Sequence, residues 1–199
     1  MISVNELALK KVLRMMEDAE ALGIAVQRLS NGSTVLDCGI EVSGSLEAGR
    51  LYAEACMGGL AQISFCDLDL EGLWLPGVRV VAGDPPISCL AAQYAGWEVK
   101  LDDFFAMGSG PARSLHGCDP IFEHLAYRDE SDLGVLTLET RTLPGEAVAD
   151  KIAAKCGISP ANLYLLVAPT ASLVGSVQVA ARIVETGLHK MAEIGFDVN

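Results

Sequence analysis

Positive charge is scarce in this chain: 14 Lys and Arg stand against 26 Asp and Glu in 199 residues, a formal net charge of −12. A phosphate-backbone partner needs clustered Lys and Arg, which are absent, so nucleic-acid binding is not expected. Histidine is rare as well, with three residues, and the six cysteines Cys38, Cys56, Cys66, Cys89, Cys118 and Cys156 form no C-x-x-C pair. A metal site is therefore not expected, and most of the thiols read as small core residues. Every apolar stretch is broken by Gly, Pro or charge well before the roughly 20 residues a membrane helix needs, and the N-terminus carries no apolar signal core. The chain reads as soluble and cytoplasmic with no membrane partner. It also lacks a G-x-x-x-x-G-K-S/T loop, an internal repeat, a low-complexity tract and a long linker.

What is present is a globular composition, 51% hydrophobic and 20% charged, in a chain long enough for one ordinary core or two small ones. Ser3 and Glu6 have capping-box spacing, and apolar residues from Val4 to Leu22 keep a helical period up to Gly23. Residues 24–29 and 34–42 then flank Ser30-Asn31-Gly32-Ser33, whose Asn-Gly pair predicts an antiparallel hairpin with a type I′ turn. Gly44-Ser45 opens a helix over Leu46–Met57 ended by Gly58-Gly59, with Glu47 near its start as a dipole partner. Residues 60–66 and 78–82 are strand candidates around an acidic loop carrying Trp74 and Pro76. Asp84-Pro85-Pro86 opens a helix over 87–95, stopped by Gly96.

Further on, 97–99 and 103–107 read as strands, Asp119-Pro120 as the start of a short helix through Tyr127, 133–138 as a strand, and 145–155 as a helix closed by Gly157. His116 and His124 stand alone and read as surface or satisfied residues. The series of strands and helices predicts an α/β fold: a mixed sheet with packed helices, an early antiparallel hairpin and later strand-helix units.

The most informative stretch is Asn162 to Ile194. Leu163 to Ala168 is a short apolar run ended by Pro169, suited to a strand covered on both faces. Pro169 to Ser176 is a turn with hydroxyls and a Gly, and strand-to-helix turns are where α/β proteins place sites. A helix wheel over Val177 to Ile194 puts Val177, Ala181, Val184, Leu188 and Met191 on one face, widened by Ala180, Ile183 and Gly187, and so predicts a mostly buried helix. Gln178, Arg182, Glu185 and His189 share a polar stripe. Two readings of Arg182 and Glu185 stand at this point. They are either an ordinary exposed pair, worth about 0.2–0.5 kcal/mol, or a cleft-facing couple; Arg preceding Glu is the less favourable order for helix stability.

A second candidate is Gly108-Ser109-Gly110-Pro111-Ala112-Arg113. Its glycines permit close backbone approach and its free N–H groups could hold an anion, although simple turn chemistry explains the same residues.

Several of these stretches together resemble the methenyltetrahydromethanopterin cyclohydrolase family. They are Asp37-Cys38-Gly39, the run Gly44 to Gly49, Ala95-Gly96-Trp97, the run Phe104 to Arg113, Val167-Ala168-Pro169-Thr170, the run Leu173 to Gln178, and Arg182 to Glu185, collinear along the chain. The resemblance implies hydrolysis of the cationic methenyl bridge of a reduced pterin to the 5-formyl derivative, in the one-carbon metabolism of methanogens and some methylotrophs, with no metal or redox cofactor. It implies Glu185 as general base and then acid, with Arg182 orienting it and holding water. It also implies a homotrimer, and makes Ser109, Gly110, Arg113, Thr170, Ser172 and Ser176 pocket candidates, Arg113 toward an anionic tail of the pterin.

Members of the family continue past the position of Asn199. By the resemblance, residues 1–199 are expected to be the N-terminal portion of a cyclohydrolase-like α/β protein that lacks the completion of a second domain. The alternative is then a non-catalytic pterin-binding or assembly fragment, and a third reading is an unrelated α/β module. Gly83-Asp84-Pro85-Pro86 departs from the family's more usual Asp-His-Pro.

Overall fold

The computed structural model describes residues 2–117, 119–123 and 125–198; Cys118 and His124 lie outside them. Helix α1 (Val4–Glu17) starts as its capping spacing predicts, with the Ser3 side chain accepting the Glu6 N–H. It does not run unbroken to Gly23: Asp18 leaves helical geometry (φ −98°, ψ 18°), and a short α2 (Ala19–Leu22) follows before Gly23 closes it in the left-handed region. Asp competes for local hydrogen bonds and tolerates a helix interior poorly.

β1 (Ala25–Arg28) and β2 (Thr34–Asp37) form the expected antiparallel pair. Their connection is not a type I′ turn, because of its residues only Gly32 has positive φ, at 90°. Instead Asn31 Oδ1 accepts the Ser33 N–H at 3.0 Å. Nor does the second strand reach Val42. The Asp37 carboxylate accepts the N–H groups of Gly39, Ile40 and Glu41 at 2.9, 2.7 and 2.8 Å, which turns the chain out of the sheet.

Helix α3 (Leu46–Cys56) is capped by Ser45, and its Glu47 pairs with Arg50. The acidic loop expected next is itself strand: β3 (Ala61–Leu70) and β4 (Leu73–Ala82) pair along their whole lengths. Glu71 and Gly72 make the turn between them with φ 55° and 89°. Positive φ at both central residues is the signature of type I′, so that turn lies here.

A π-helical segment, Pro86–Gln93, stands where a helix was predicted. β5 (Trp97–Leu101), β6 (Phe104–Ser109) and α4 (Ala112–His116) follow. Of the helix expected from Asp119 to Tyr127, the described residues form only a 3₁₀ turn over Pro120–Glu123. β7 (Gly134–Glu139), α5 (Glu146–Cys156), β8 (Leu163–Ala168), α6 (Leu173–Ala180) and α7 (Ile183–Glu193) complete the chain.

The main sheet has order β1-β2-β8-β7-β6-β5, parallel across β2-β8-β7 and antiparallel elsewhere; β3 and β4 form a separate sheet. This is the mixed α/β architecture the sequence predicts. Alternation along the strands divides the core. Leu36, Val135, Leu166 and Ala168 pack with α1, α3 and Val174 of α6. Val35, Leu136, Leu138, Leu165 and Val167 pack with α4 and α5. Successive side chains of a strand point to opposite faces, so β7 and β8, covered on both, are apolar throughout apart from Thr137, Tyr164 and the final Glu139. Among the described residues no helix is long and apolar enough to cross a membrane.

Candidate active site

The site is built where β8 turns into α6. Ser172 caps the helix by accepting the Gly175 N–H at 3.0 Å while donating to Pro169 O at 2.8 Å, and Ser176 Oγ donates to Ser172 O at 2.8 Å. Gly175 is required sterically, since a Cβ there would lie 2.1 Å from Pro169 O. Ser172 and Ser176, both pocket candidates from sequence, therefore tie the turn to itself. Thr170 stays exposed and donates to Glu139 from β7.

The continuous, mostly buried helix predicted over Val177 to Ile194 is not found. Ala181 (φ −72°, ψ −5°) and Arg182 (φ −81°, ψ 1°) form an elbow between α6 and α7, and the Arg182 N–H bonds Val179 O three residues back. Val177 and Ala181 are buried and Val184 and Leu188 half-buried, as the wheel predicts. Met191, Ala180 and Gly187 are exposed, and Ile183 is 69% exposed. A wheel assumes one phase throughout, and the elbow resets it. The only residue of α7 that is buried is polar: Glu185, 6% exposed.

The elbow places Arg182 at a meeting point of four elements. Its Nη2 donates to Ser109 Oγ at the end of β6 (2.8 Å) and its Nη1 donates to Gln93 O at the end of the π-helical segment (2.8 Å). The same Nη1 lies 3.5 Å from Glu185 Oε2. Burial pushes the Glu185 carboxyl above the usual carboxylate range, against the opposing pull of Arg182 and then His189. A carboxyl raised in this way keeps its proton to higher pH than a free glutamate does, the direction a proton carrier needs. His189 does not join the polar group through a hydrogen bond to Glu185; it stacks on Tyr94 with ring centroids 4.5 Å apart.

Beneath Arg182 lies a buried polar cluster in which Ser109 and Gln178 are joined by two residues that sequence reasoning missed, Cys56 and Thr137. Ser109 Oγ is 3.0 Å from Thr137 Oγ1 and 3.2 Å from Cys56 Sγ, and Cys56 Sγ also accepts from Thr137 Oγ1 (3.3 Å) and Gln178 Nε2 (3.5 Å). Of its members the sequence had singled out Ser109 and Gln178; Thr137 interrupting an apolar strand was a further signal, and Cys56 read as ordinary core. Gln178 Oε1 is buried without a hydrogen-bond partner. Tyr52, Ser109, Thr137, Glu139, Thr170, Gln178 and Arg182 line a narrow hollow of about 10 Å³, room for about one water. Glu185 is not part of its lining. Glu139 and Thr170 also line a cleft of about 380 Å³ bounded by Phe105, Arg141 and Pro169, so the two spaces adjoin.

Two sequence candidates face elsewhere. Gly110 (φ 106°) donates its N–H to Ala92 O at 2.7 Å rather than leaving it free for an anion. Arg113 is 1% exposed, pairs with Asp119 (2.9 Å) and donates to the carbonyls of Leu90, Ala91 and Ala92. In this arrangement its guanidinium fixes the end of the π-helical segment and presents nothing to solvent. Of the six proposed pocket residues, Ser109 and Thr170 reach the hollow; Gly110, Arg113, Ser172 and Ser176 shape what surrounds it. His116, read as surface or satisfied, packs on Trp97 with a buried Nε2 that has no partner.

The model of a family described as Cyclohydrolase (MCH) matches residues 3–199. A methenyltetrahydromethanopterin cyclohydrolase from Methanothermobacter marburgensis is 53% identical over 205 residues, covering 100% of this chain and 63% of that protein. Proteins of the same name from Methanocaldococcus jannaschii and Methanococcoides burtonii are 49% and 45% identical, again over 100% of this chain and 63% and 62% of their own lengths. The chain thus spans 62–63% of the length of these curated relatives.

Proposed function

The chain belongs to the cyclohydrolase (MCH) family, and on that premise we propose that its function is hydrolysis of the methenyl bridge of methenyltetrahydromethanopterin, the compound its relatives are named for. The observation that carries this reading is the Arg182–Glu185 pair at the elbow, one member lining the hollow and the other a buried carboxyl of raised pKa. The bridge carbon of the cation is already electrophilic, so the chemistry asks for a placed water and a proton carrier. Glu185 takes a proton as water forms the C–O bond, then returns one to the departing nitrogen as that C–N bond breaks. The products are the 5-formyl pterin and one net proton. Arg182 keeps the carboxylate oriented and favours its ionised form at the moment it must act as base. No metal or redox group enters this scheme.

The adjoining cleft at Phe105, Arg141, Glu139 and Thr170 is the proposed entrance for the pterin, with Ser109 and Thr170 among its contacts. The assembly is proposed to be a homotrimer working in the cytoplasm. Self-association is supported by the β3-β4 hairpin, which leaves Phe65, Leu68, Leu70, Leu73 and Trp74 exposed, Trp74 by 67%. Loss of methenyl-pterin absorbance with the purified protein tests the activity. Acceleration over buffer is expected; saturable binding without turnover marks a non-catalytic pterin-binding piece instead, and no binding at all rejects the reading.

A further inference from the structure

We propose that Gln93 is a positioning residue for the Arg182–Glu185 pair: its side-chain amide pins the elbow between α6 and α7, and its backbone carbonyl anchors the Arg182 guanidinium. The proposal rests on the assignment of that pair to catalysis. Gln93 is fully buried at the last position of the π-helical segment. Its Nε2 donates to the carbonyl of Ala181, the first elbow residue, at 3.2 Å. Its own carbonyl accepts from Arg182 Nη1 at 2.8 Å, the same nitrogen that faces Glu185. One residue thus grips the elbow from the backbone side and from the side-chain side.

The grip is firm because its base is fixed. Arg113, tied to Asp119, donates to the three carbonyls immediately before Gln93, and the Gly110 N–H holds Ala92 O as well. The placement of Gln93 is also hard to explain by stability. Its Oε1 is buried with no hydrogen-bond partner, and an unsatisfied buried amide oxygen costs the fold, whereas an apolar side chain of like shape would not carry that cost. What the amide provides is the donor at Ala181. Without it, the elbow is free to relax toward regular helix, and the guanidinium swings with it relative to Ser109 and Glu185.

The test is Gln93→Met, which keeps length and volume and removes the donor, in the intact protein. The groups facing Glu185 are His189 from its own helix, Arg182 from the elbow, and Arg113 and Cys89 from other elements; Gln93→Met leaves all four in the sequence. The expected result is a fall of at least tenfold in kcat, less than threefold change in KM, and an acid limb of the kcat/KM profile moved to higher pH, as Glu185 loses its nearest cation. The Arg182 side-chain N–H resonances are expected to be exchange-protected in the parent protein, where they are held by Gln93 O and Ser109 Oγ, and to lose that protection in the variant. Should Gln93→Met not yield folded protein, Gln93→Leu, smaller and also without the donor, is read by the same resonances. Unchanged protection together with an unchanged pH profile overturns the proposal. A parent protein with no turnover rejects the catalytic assignment instead, and the protection measurement still decides whether Gln93 holds Arg182.

Discussion

At the scale of the residue, the site depends on how one carboxyl is housed. Burial raises the Glu185 pKa above its ordinary value while Arg182 and His189 oppose the rise. The native state therefore keeps this proton to higher pH than the unfolded chain does. The stability it contributes is full below the ordinary carboxylate pKa and is lost as pH rises through the raised native value. Glu185→Gln removes that loss: melting temperatures of parent and variant are expected to lie close together in acid and to separate above it, with the variant the more stable. Under the proposed mechanism its turnover is expected to fall by about 10²–10⁴-fold, the loss typical of a general acid-base group. Arg182 makes a different demand. It reaches Ser109, Gln93 O and Glu185 with two nitrogens, so Arg182→Lys keeps the charge and loses the fork. A drop in kcat with little change in melting temperature is the expected signature. Arg113 should behave in the opposite way. Arg113→Met strands the buried Asp119 carboxylate, a change expected to cost about 3–5 kcal/mol in urea unfolding.

At the scale of the element, the β8-α6 turn and the elbow do the positioning. The turn closes only because position 175 has no Cβ; a methyl there would meet Pro169 O at 2.1 Å and Thr170 O at 2.8 Å. Gly175→Ala is expected to destabilise by about 1–3 kcal/mol through overpacking and to shift the start of α6, measurable as an earlier denaturation midpoint and a lower kcat. The same economy of side chain lets helices meet at Gly49 of α3, where a Cβ would stand 2.7 Å from Val177 Cβ. Much of the element plan was legible in the sequence, since Ser3, Ser45, Gly23 and Gly157 announce their helix ends by residue type. The elbow was not legible. The residue that holds Ala181 O and Arg182 is Gln93, 88 and 89 positions away in the chain, and no local pattern reports such a bond.

At the scale of the whole molecule, the apolar surface is unevenly distributed. The hairpin of β3 and β4 stands outside the main sheet and exposes Leu70, Leu73 and Trp74 by 57%, 59% and 67%. Contiguous exposed apolar surface of this kind marks interaction sites. For the proposed homotrimer, Leu73→Asp is expected to lower the mass seen by light scattering toward that of one chain while leaving circular dichroism unchanged. Trp97, 4% exposed in the second core cluster, gives an internal reference. Quenching by iodide should single out Trp74, and less so at concentrations where association is complete.

By itself the sequence determined the class of fold, the capped starts of α1 and α3, the glycine stops of α2 and α5, the two-sided burial of β8, and the residue types of the Arg182–Glu185 pair. These are local properties: propensity, hydrophobic period and capping act within a few residues, and a short window contains their cause. Tertiary structure alone decided that the helix predicted over 177–194 breaks into an elbow at Ala181 and Arg182, where Gln93 meets both. It also set Arg113 inside a buried ion pair, and made a carboxyl the buried residue of α7. Each of those outcomes depends on which groups meet across the sheet or between layers, and a buried polar group takes whatever partner the packing brings within hydrogen-bond reach.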